Sequence, residues 1–188
     1  MHDLSPLTPL GGTAPQIDTV AGLTCTEQCD LALASVAARL GKEEACSAAL
    51  KKLLGAAPPM PGKAHLSAPY SAVWAGPDQW MLGADFATHE DIAAQLKAAL
   101  ADTASVTEQT DAWCCFDLSG QGIADVMELL CPINMRTLTS GDATRTTIHH
   151  LGCFVICGDP DGFLRILGPR ASAGSLHHAL LTAMRSAL

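Results

Sequence analysis

The stretch SAVWAGPDQWML, residues 71–82, predicts the β-hairpin on which the fold is built. Pro77 presets the backbone at the first central position of the turn, and Asp78 tolerates the second, as in a type I turn. Val73 and Leu82 flank the turn with residues that favour strands. Because the hairpin carries two of the three tryptophans in the chain, most of the indole surface is concentrated in this one element.

The register of this hairpin decides where the two indoles point. If Gly76 pairs with Gln79, then Trp74 faces the same side as Met81, and Trp80 faces the opposite side. A one-residue bulge would instead place both indoles on one face. Under the first register one tryptophan is a core residue and the other is a candidate contact for a partner chain. Both registers are compatible with the sequence.

The hairpin pattern returns later in the chain. The turn GDPDG at 158–162 places Asp161 83 positions after Asp78, and the helical positions Ile92 and Leu176 are 84 positions apart. Each half therefore predicts a strand, a helix, a β-hairpin and a helix, which is a split βαβ unit of the ferredoxin-like kind. Since one such unit has a marginal core, we predict an α+β fold of two halves packed as a pseudo-duplicated body.

The division of the chain follows from this repeat. Residues 1–22 contain three prolines and a Gly-Gly pair, which predicts an extended N-terminal arm without regular structure. A first α+β half then spans 23–105 and a second spans 106–188. The predicted elements are a helix at 29–41 with Leu33, Val36, Ala37 and Leu40 on one face, a helix at 88–100 capped by Thr88, a strand at 112–118, a helix at 119–130, a strand through 144–157, and a last helix with the buried stripe Leu176, Leu180, Ala183 and Met184.

Charge and hydropathy exclude several classes of function. The net charge is −8 with 11 lysines and arginines, so the chain has no basic stripe to neutralise a row of phosphates or an anionic membrane surface. No segment reaches the roughly 18 apolar residues of a membrane span, and the first residues have no basic leader. We therefore expect a cytoplasmic protein whose eight cysteines remain thiols.

One segment resembles the entry to a dinucleotide site. In DLSGQGIAD, Gly120 and Gly122 stand between a predicted strand and a predicted helix. Asp125 occupies the third glycine position of that motif, where its carboxylate would repel a pyrophosphate. We expect the glycines to ease a tight turn from strand to helix instead.

The histidines and cysteines could in principle bind a metal. His149, His150, Cys153 and Cys157 are close in sequence, but residues four apart in a strand are separated by about 13 Å, which is too far for one zinc ion. His177 and its neighbour His178 fit a solvated or rim position on the last helix. The sequence thus predicts no catalytic, cofactor-binding or metal-binding residue.

Several stretches together resemble a known family. They are AVWAGPDQWML (72–82), TEQTDAWCCFDLSG (107–120), the long run from Gly141 to Met184, and the N-terminal SPLTPLGG (5–12). The combination of a G-P-D-[QE]-W hairpin, an L-S-G helix entry and a terminal G-P-R-x-S is similar to the gamma subunit of heterotetrameric sarcosine oxidase.

The resemblance implies a complex of four different subunits that oxidatively demethylates sarcosine to glycine. The other products are hydrogen peroxide and either formaldehyde or methylenetetrahydrofolate. FAD, FMN, NAD and tetrahydrofolate would belong to the alpha and beta subunits, and zinc to the delta subunit. The resemblance also implies a fold similar to the folate-binding body of aminomethyltransferases. This chain would then be a non-catalytic structural subunit. Its partners would be the alpha, beta and delta subunits, with alpha in direct contact.

Two alternatives stay open at this level. The chain could be an independent folate-binding or one-carbon transfer protein of the same fold, or a redox or metal protein that uses its cysteines. For the subunit hypothesis, the candidate interface residues are Leu4, Leu7, Leu10, Trp74, Trp80 and Arg170.

Overall fold

The computed structural model describes residues 6–160 and 162–188. The described chain forms two compact units, the first made of residues 6–29, 111–140 and 144–188 and the second of 30–110 and 141–143. Each unit contains one antiparallel sheet with helices, which confirms the predicted α+β class.

The strands are, in chain order, β1 (Ile17–Val20), β2 (Leu23–Gln28), β3 (Leu31–Ala38), β4 (Ala64–His65), β5 (Ser71–Gly76), β6 (Gln79–Asp85), β7 (Ala104–Glu108), β8 (Trp113–Ser119), β9 (Ala143–Ile148), β10 (Leu151–Asp159) and β11 (Phe163–Pro169). The helices are α1 (Glu43–Leu54), α2 (Phe86–His89), α3 (Ile92–Leu100), α4 (Ile123–Glu128) and α5 (Ala173–Ala187). Within the described residues no helix is long and apolar enough to cross a bilayer.

The sheet of the first unit has the strand order β1-β2-β8-β11-β10-β9. Alternate residues of its central strands, among them Leu23, Phe116 and Ile166, share one buried cluster with the apolar stripes of α4 and α5. This arrangement follows from the period-two pattern of the strands and the 3.6-residue period of α5. The predicted stripe of the last helix, which includes Leu176 and Leu180, is buried in this core.

The sheet of the second unit has the order β4-β5-β6-β3-β7. Its core combines one face of these strands with α1 and α3, and Leu50, Leu82 and Leu96 are fully buried there. The predicted helix at 88–100 is confirmed over Ile92–Leu100. The predicted cap at Thr88 is wrong, because Thr88 lies inside α2, where its backbone N–H donates to the Asp85 carboxylate at 3.2 Å.

The hairpin of β5 and β6 adopts the bulged register. Trp74 lies directly opposite Trp80, Gly76 lies opposite Gln79, and the ladder shifts between these two pairs. Residues directly opposite each other on paired strands share a face, so both indoles face the same side and the alternative in which they diverge is wrong. Asp78 has φ +55°, which a type I turn does not have at this position, so the predicted turn type is also wrong.

The helix predicted at 29–41 is instead the strand β3. Its neighbours are β6 on one side and β7 on the other, and its centre is buried on both faces. A strand covered on both faces has a continuous apolar run rather than alternation, and such a run is easily mistaken for a helix. Leu40, placed on the buried stripe by the helical interpretation, is 97% exposed.

The predicted strand through 144–157 is two strands joined by a tight turn. β9 ends at Ile148 and β10 begins at Leu151, and the two residues between them, His149 and His150, have φ values of +46° and +69°. Positive φ at both central positions is the mark of the type I′ turn, which suits the twist of a hairpin.

The N-terminal segment contains regular structure, contrary to the predicted arm. β1 pairs antiparallel with β2, and β2 continues into the sheet by pairing with β8. The predicted boundary between residues 22 and 23 therefore falls inside a hairpin, and the first unit takes in residues up to 29. Glu27 holds the segment before β1 in place. Its side chain is 1% exposed, and its carboxylate accepts hydrogen bonds from the backbone N–H groups of Leu10 at 2.8 Å and Gln16 at 3.0 Å.

Replacing Glu27 with alanine should destabilise the chain by about 2–4 kcal/mol, because two backbone N–H groups lose the charged acceptor that a buried carboxylate gives them. Urea denaturation followed by circular dichroism measures the change. Glu44→Ala, at an exposed position of α1, is the control and should stay within about 0.5 kcal/mol of the parent. Equal stabilities for the two variants would contradict this role of the Glu27 carboxylate.

Candidate functional site

The N-terminal interface candidates lie on the first unit. Arg170 donates from Nη2 to the Leu7 carbonyl at 2.9 Å, and its Nη1 lies 3.7 Å from the Asp111 carboxylate. Leu10 packs against the core of the unit, whereas the Leu7 side chain is 56% exposed. Arg170 and Leu10 thus hold the segment onto its own unit, and the Leu7 side chain stays exposed. Leu4 lies outside the described residues.

The two tryptophans lie on the second unit and differ in their surroundings. Trp80 is 6% exposed, and its Nε1–H donates to the Pro59 carbonyl at 3.0 Å. Trp74 is half-buried and lines a groove of about 320 Å³ with Trp80. Trp80 therefore fixes the proline-rich loop of its own unit, while Trp74 presents indole surface in an open groove. The groove is also lined by Ser47, Ala57, Pro58, Pro59, Met60, Pro61 and Asp78.

The cysteines are poorly suited to chemistry. Burial raises the pKa of Cys25 to about 12 and the pKa values of Cys114 and Cys153 to about 11. The pKa of Cys115 is also raised, first by burial and then by the nearby Asp117 carboxylate. Such thiols stay protonated near neutral pH, and the thiol form is a weak nucleophile and a weak metal ligand. Over residues 6–160 and 162–188 no three ligand-forming side chains are grouped to hold a metal ion.

The glycines after β8 serve the backbone. A Cβ on Gly120 would stand 2.5 Å from the Gly22 carbonyl oxygen, so this position requires glycine for the close approach of two chain segments. Gly122 precedes α4 with φ +89°, again a conformation that favours glycine. These contacts support the predicted tight turn rather than a nucleotide loop.

A part-buried ion pair on β8 and β11 was missed at the sequence level. Asp117 accepts from Arg165 Nε at 2.8 Å and from Nη2 at 2.7 Å, and the guanidinium lies 5.7 Å from the centre of the Phe163 ring. This hydrogen bonding raises the pKa of Arg165. The signal was present, because each strand carries one charge inside an apolar run, and charges in such places are normally paired.

The histidines of α5 are in different environments. His177 is 2.9 Å from the Asp18 carboxylate through Nε2, and its ring stacks on Phe116 with centres 5.6 Å apart. The predicted solvated or rim position therefore fits His178, which is exposed, better than His177.

Within the described residues two hydroxyl–imidazole pairs have the distance of a catalytic contact, and one of them joins Thr88 Oγ1 to the adjacent His89 Nδ1 at 2.8 Å. Ser67 Oγ and His65 Nε2 are 2.5 Å apart in an exposed segment. In the described part of the chain no carboxylate contacts the His65 ring, so the orienting third member of a triad is missing there.

The native chain should expose about one thiol to a charged reagent such as 5,5′-dithiobis(2-nitrobenzoate), because seven of the eight cysteines are buried and only Cys29 is half-exposed. Absorbance at neutral pH counts the thiols that react before and after denaturation. Cys29→Ser should remove the fast reaction and leave seven thiols in denaturant. Several fast-reacting thiols in the native chain would contradict the burial.

Comparison with known proteins shows the fold. No protein-family model matches the chain, and no curated protein matches it. The chain is similar to heterotetrameric sarcosine oxidase from Corynebacterium sp. U-96 in complex with pyrrole 2-carboxylate, with a TM-score of 0.75, 21% identity, and 87% of this chain and 84% of that chain covered. It is also similar to glycine cleavage system aminomethyltransferase T from Bartonella henselae, with a TM-score of 0.58, 15% identity, and 82% of this chain and 44% of that one covered. The predicted resemblance to sarcosine oxidase is thus confirmed at the level of the fold, which this chain shares with both proteins.

Proposed function

We propose that this chain is the gamma-type subunit of a heterotetrameric sarcosine oxidase, which oxidatively demethylates sarcosine to glycine in the cytoplasm. The observation that carries the proposal is the extent of the structural match, because it spans 87% of this chain and 84% of a sarcosine oxidase chain. The match to the aminomethyltransferase spans only 44% of that protein. The resemblance in the hairpin, the L-S-G turn and the G-P-R-x-S segment supports the same choice.

The subunit is structural rather than catalytic. The described residues supply an incomplete triad at Ser67, buried thiols with raised pKa values, and no metal cluster. In this proposal FAD, FMN, NAD and tetrahydrofolate are bound by the alpha and beta subunits, and zinc by delta. This chain contributes a surface for assembly, and the alpha subunit is its direct partner.

The two units are related by duplication in this proposal. The second unit contains the order β5-β6-β3-β7, and the first contains β10-β11-β8-β2. In both, a helix follows the third strand of that order, and another follows the hairpin formed by the first two. The strand β2 occupies the place in its sheet that β7 has in the second unit. The difference is that β7 comes after the other elements of its unit in the chain, whereas β2 comes before them. This arrangement supports a ferredoxin-like unit used twice.

Each unit presents apolar surface through one of the candidate residues. Leu7 and Trp74 present apolar surface to a partner, and they differ from Leu10, Trp80 and Arg170, which hold the local structure in place. Tryptophan is enriched among the residues that dominate interface energies, since it combines a large apolar area with few rotatable bonds. Trp74 is therefore the side chain most suited to anchor the subunit.

Co-expression of the alpha, beta and delta subunits with and without this chain tests the assignment. We expect the chain to co-purify with flavin-bearing subunits, and its omission to lower the yield of assembled complex and sarcosine-dependent oxygen uptake about tenfold or more. Size-exclusion chromatography with flavin absorbance and an oxygen electrode provide the readouts. Full assembly and turnover without the chain would overturn the proposal.

Substitution within the same complex tests the anchor. Trp74→Ala should weaken association about tenfold or more, as expected for a buried interface tryptophan. Phe86→Ala, at an exposed aromatic position of the same unit, is the matched control and should assemble like the parent. Circular dichroism of both isolated variants separates a lost contact from a lost fold.

The likeness to the aminomethyltransferase favours a second function, an independent folate-binding or one-carbon transfer protein. Calorimetric titration of the isolated chain with tetrahydrofolate distinguishes the two. We expect no saturable heat, because the subunit proposal assigns the folate site to other chains. Stoichiometric binding would favour the second function.

A further inference from the structure

The two-residue turn between β9 and β10 has an unusual composition for its backbone. His149 and His150 both have positive φ, a conformation for which Asn-Gly is strongly preferred because a β-carbon crowds the backbone there. Strained residues persist where the side chain is needed for another purpose. The turn presents both imidazoles to solvent, with ring centres 5.8 Å apart.

These rings border a groove in the first unit, here called the histidine groove. One lobe of about 260 Å³ has His149 on one side and His178 of α5 on the other. An adjoining lobe of about 280 Å³ shares His149 and adds His150. Leu129 and Leu130 line both lobes, and Leu129 is 60% exposed. The groove therefore combines three imidazoles with an apolar wall.

The polar groups of the groove favour an acidic ligand. Over the described residues, none of the three imidazoles has a hydrogen-bond or ion-pair partner, and no carboxylate lines either lobe. Thr182 and Ser186, which also line the groove, donate their hydroxyl hydrogens to α5 carbonyl groups at 2.8 Å. The imidazole N–H groups and the Thr147 hydroxyl are thus the side-chain donors available to a ligand, and only the imidazoles become cationic on protonation.

The two acids of α4 near the groove share one arginine, so this cluster keeps one negative charge. Asp125 and Glu128 both bind the Arg136 guanidinium, at 2.6 and 2.8 Å. Arg185 near the end of α5 and Arg145 on β9 add positive charge, and the latter lies over the Phe154 ring.

The strands packed against α5 leave no acid for the groove. On β1, Asp18 binds His177 rather than His178. On β2, the Glu27 carboxylate binds backbone N–H groups. On β11, Arg165 is paired with Asp117.

We propose that the histidine groove binds a small apolar monocarboxylic acid, with the carboxylate between His149 and His178 and the hydrocarbon on Leu129 and Leu130. Charge-assisted hydrogen bonds from two imidazolium groups hold the anion, and the leucines cover its apolar part. Each lobe is slightly smaller than an ordinary ligand pocket, so the acid is limited to a few carbon atoms. This site is independent of the proposed subunit role.

The test is a titration of the 15N-labelled chain with 4-methylpentanoate, monitored through backbone amide and imidazole resonances. We expect saturable shifts confined to residues 129–130, 147–150 and 178–186 at about pH 6. Binding should weaken about tenfold or more at about pH 8, because a neutral imidazole donates a weaker hydrogen bond to a carboxylate than an imidazolium does. The alcohol 4-methylpentanol and the short acid acetate, each lacking one half of the ligand, should bind at least about tenfold more weakly.

Two variants connect the binding to the turn. The double substitution His149→Asn and His150→Gly installs the preferred turn pair, so it should raise the melting temperature while binding weakens about tenfold or more. His178→Ala should weaken binding about tenfold, because one of the two charged donors is lost. His89→Ala, at a half-buried histidine of the second unit that does not line the groove, is the control and should leave the titration unchanged.

Several outcomes would overturn the proposal. They are the absence of saturable shifts at about pH 6, equal binding of acid and alcohol, equal binding at both pH values, and unchanged binding after the double substitution. The stability gain of that variant guards against a folding failure as the cause of lost binding.

Discussion

The pairing of β2 with β8 is the constraint on which the first unit depends. Thr24 lies opposite Ser119 and Gln28 opposite Cys115, so the ladder joins segments separated by residues 30–110 of the second unit. The N-terminal residues must therefore be placed before this sheet is complete, and the contacts around the ladder enforce that placement. Gly120 permits the close approach of Gly22 at one end. The buried carboxylate of Glu27 fixes the preceding segment at the other.

The surfaces of the chain divide into side chains that stabilise a unit and side chains left for recognition. Trp80 and Arg170 were attractive interface residues in the sequence, but their hydrogen bonds hold the proline-rich loop and the Leu7 segment in place. Trp74 and Leu7 remain suited to a partner. The same division applies to α5, where His177 is occupied by Asp18 and Phe116, whereas His178 borders an open groove. In each case the side chain left for recognition lies beside a residue whose polar groups are already hydrogen-bonded within the unit, and that residue holds the local structure in place.

Much of the second half of the chain was predictable because its signals are local. The strand at 113–119, the helix at 173–187 and its buried stripe follow from short-range periodicity. The error at β3 came from a run buried on both faces, which has neither strand nor helix period. The internal repeat could have corrected this error. Leu31, where β3 begins, stands 82 positions before Trp113, where β8 begins. Because the segment at Trp113 was predicted as a strand, the repeat predicts a strand at Leu31 as well. The Asp117–Arg165 pair could also have been predicted, because each of the two apolar strands carries a single charge. The hydrogen bonds of the Glu27 carboxylate could not, because they involve backbone groups that only the folded chain brings together.

The sequence by itself determined the α+β class, the two hairpins with their spacing, the helices α3 and α5, and the resemblance to the sarcosine oxidase subunit. These depend on turn residues, periodicity and composition, all of which act over a few positions. Only the tertiary structure decided that the N-terminal segment supplies two strands, that both tryptophans share a face, and that His149 and His178 border one groove. The reason is that strand order, a β-bulge and the convergence of distant side chains are set by long-range pairing, which local preferences do not encode.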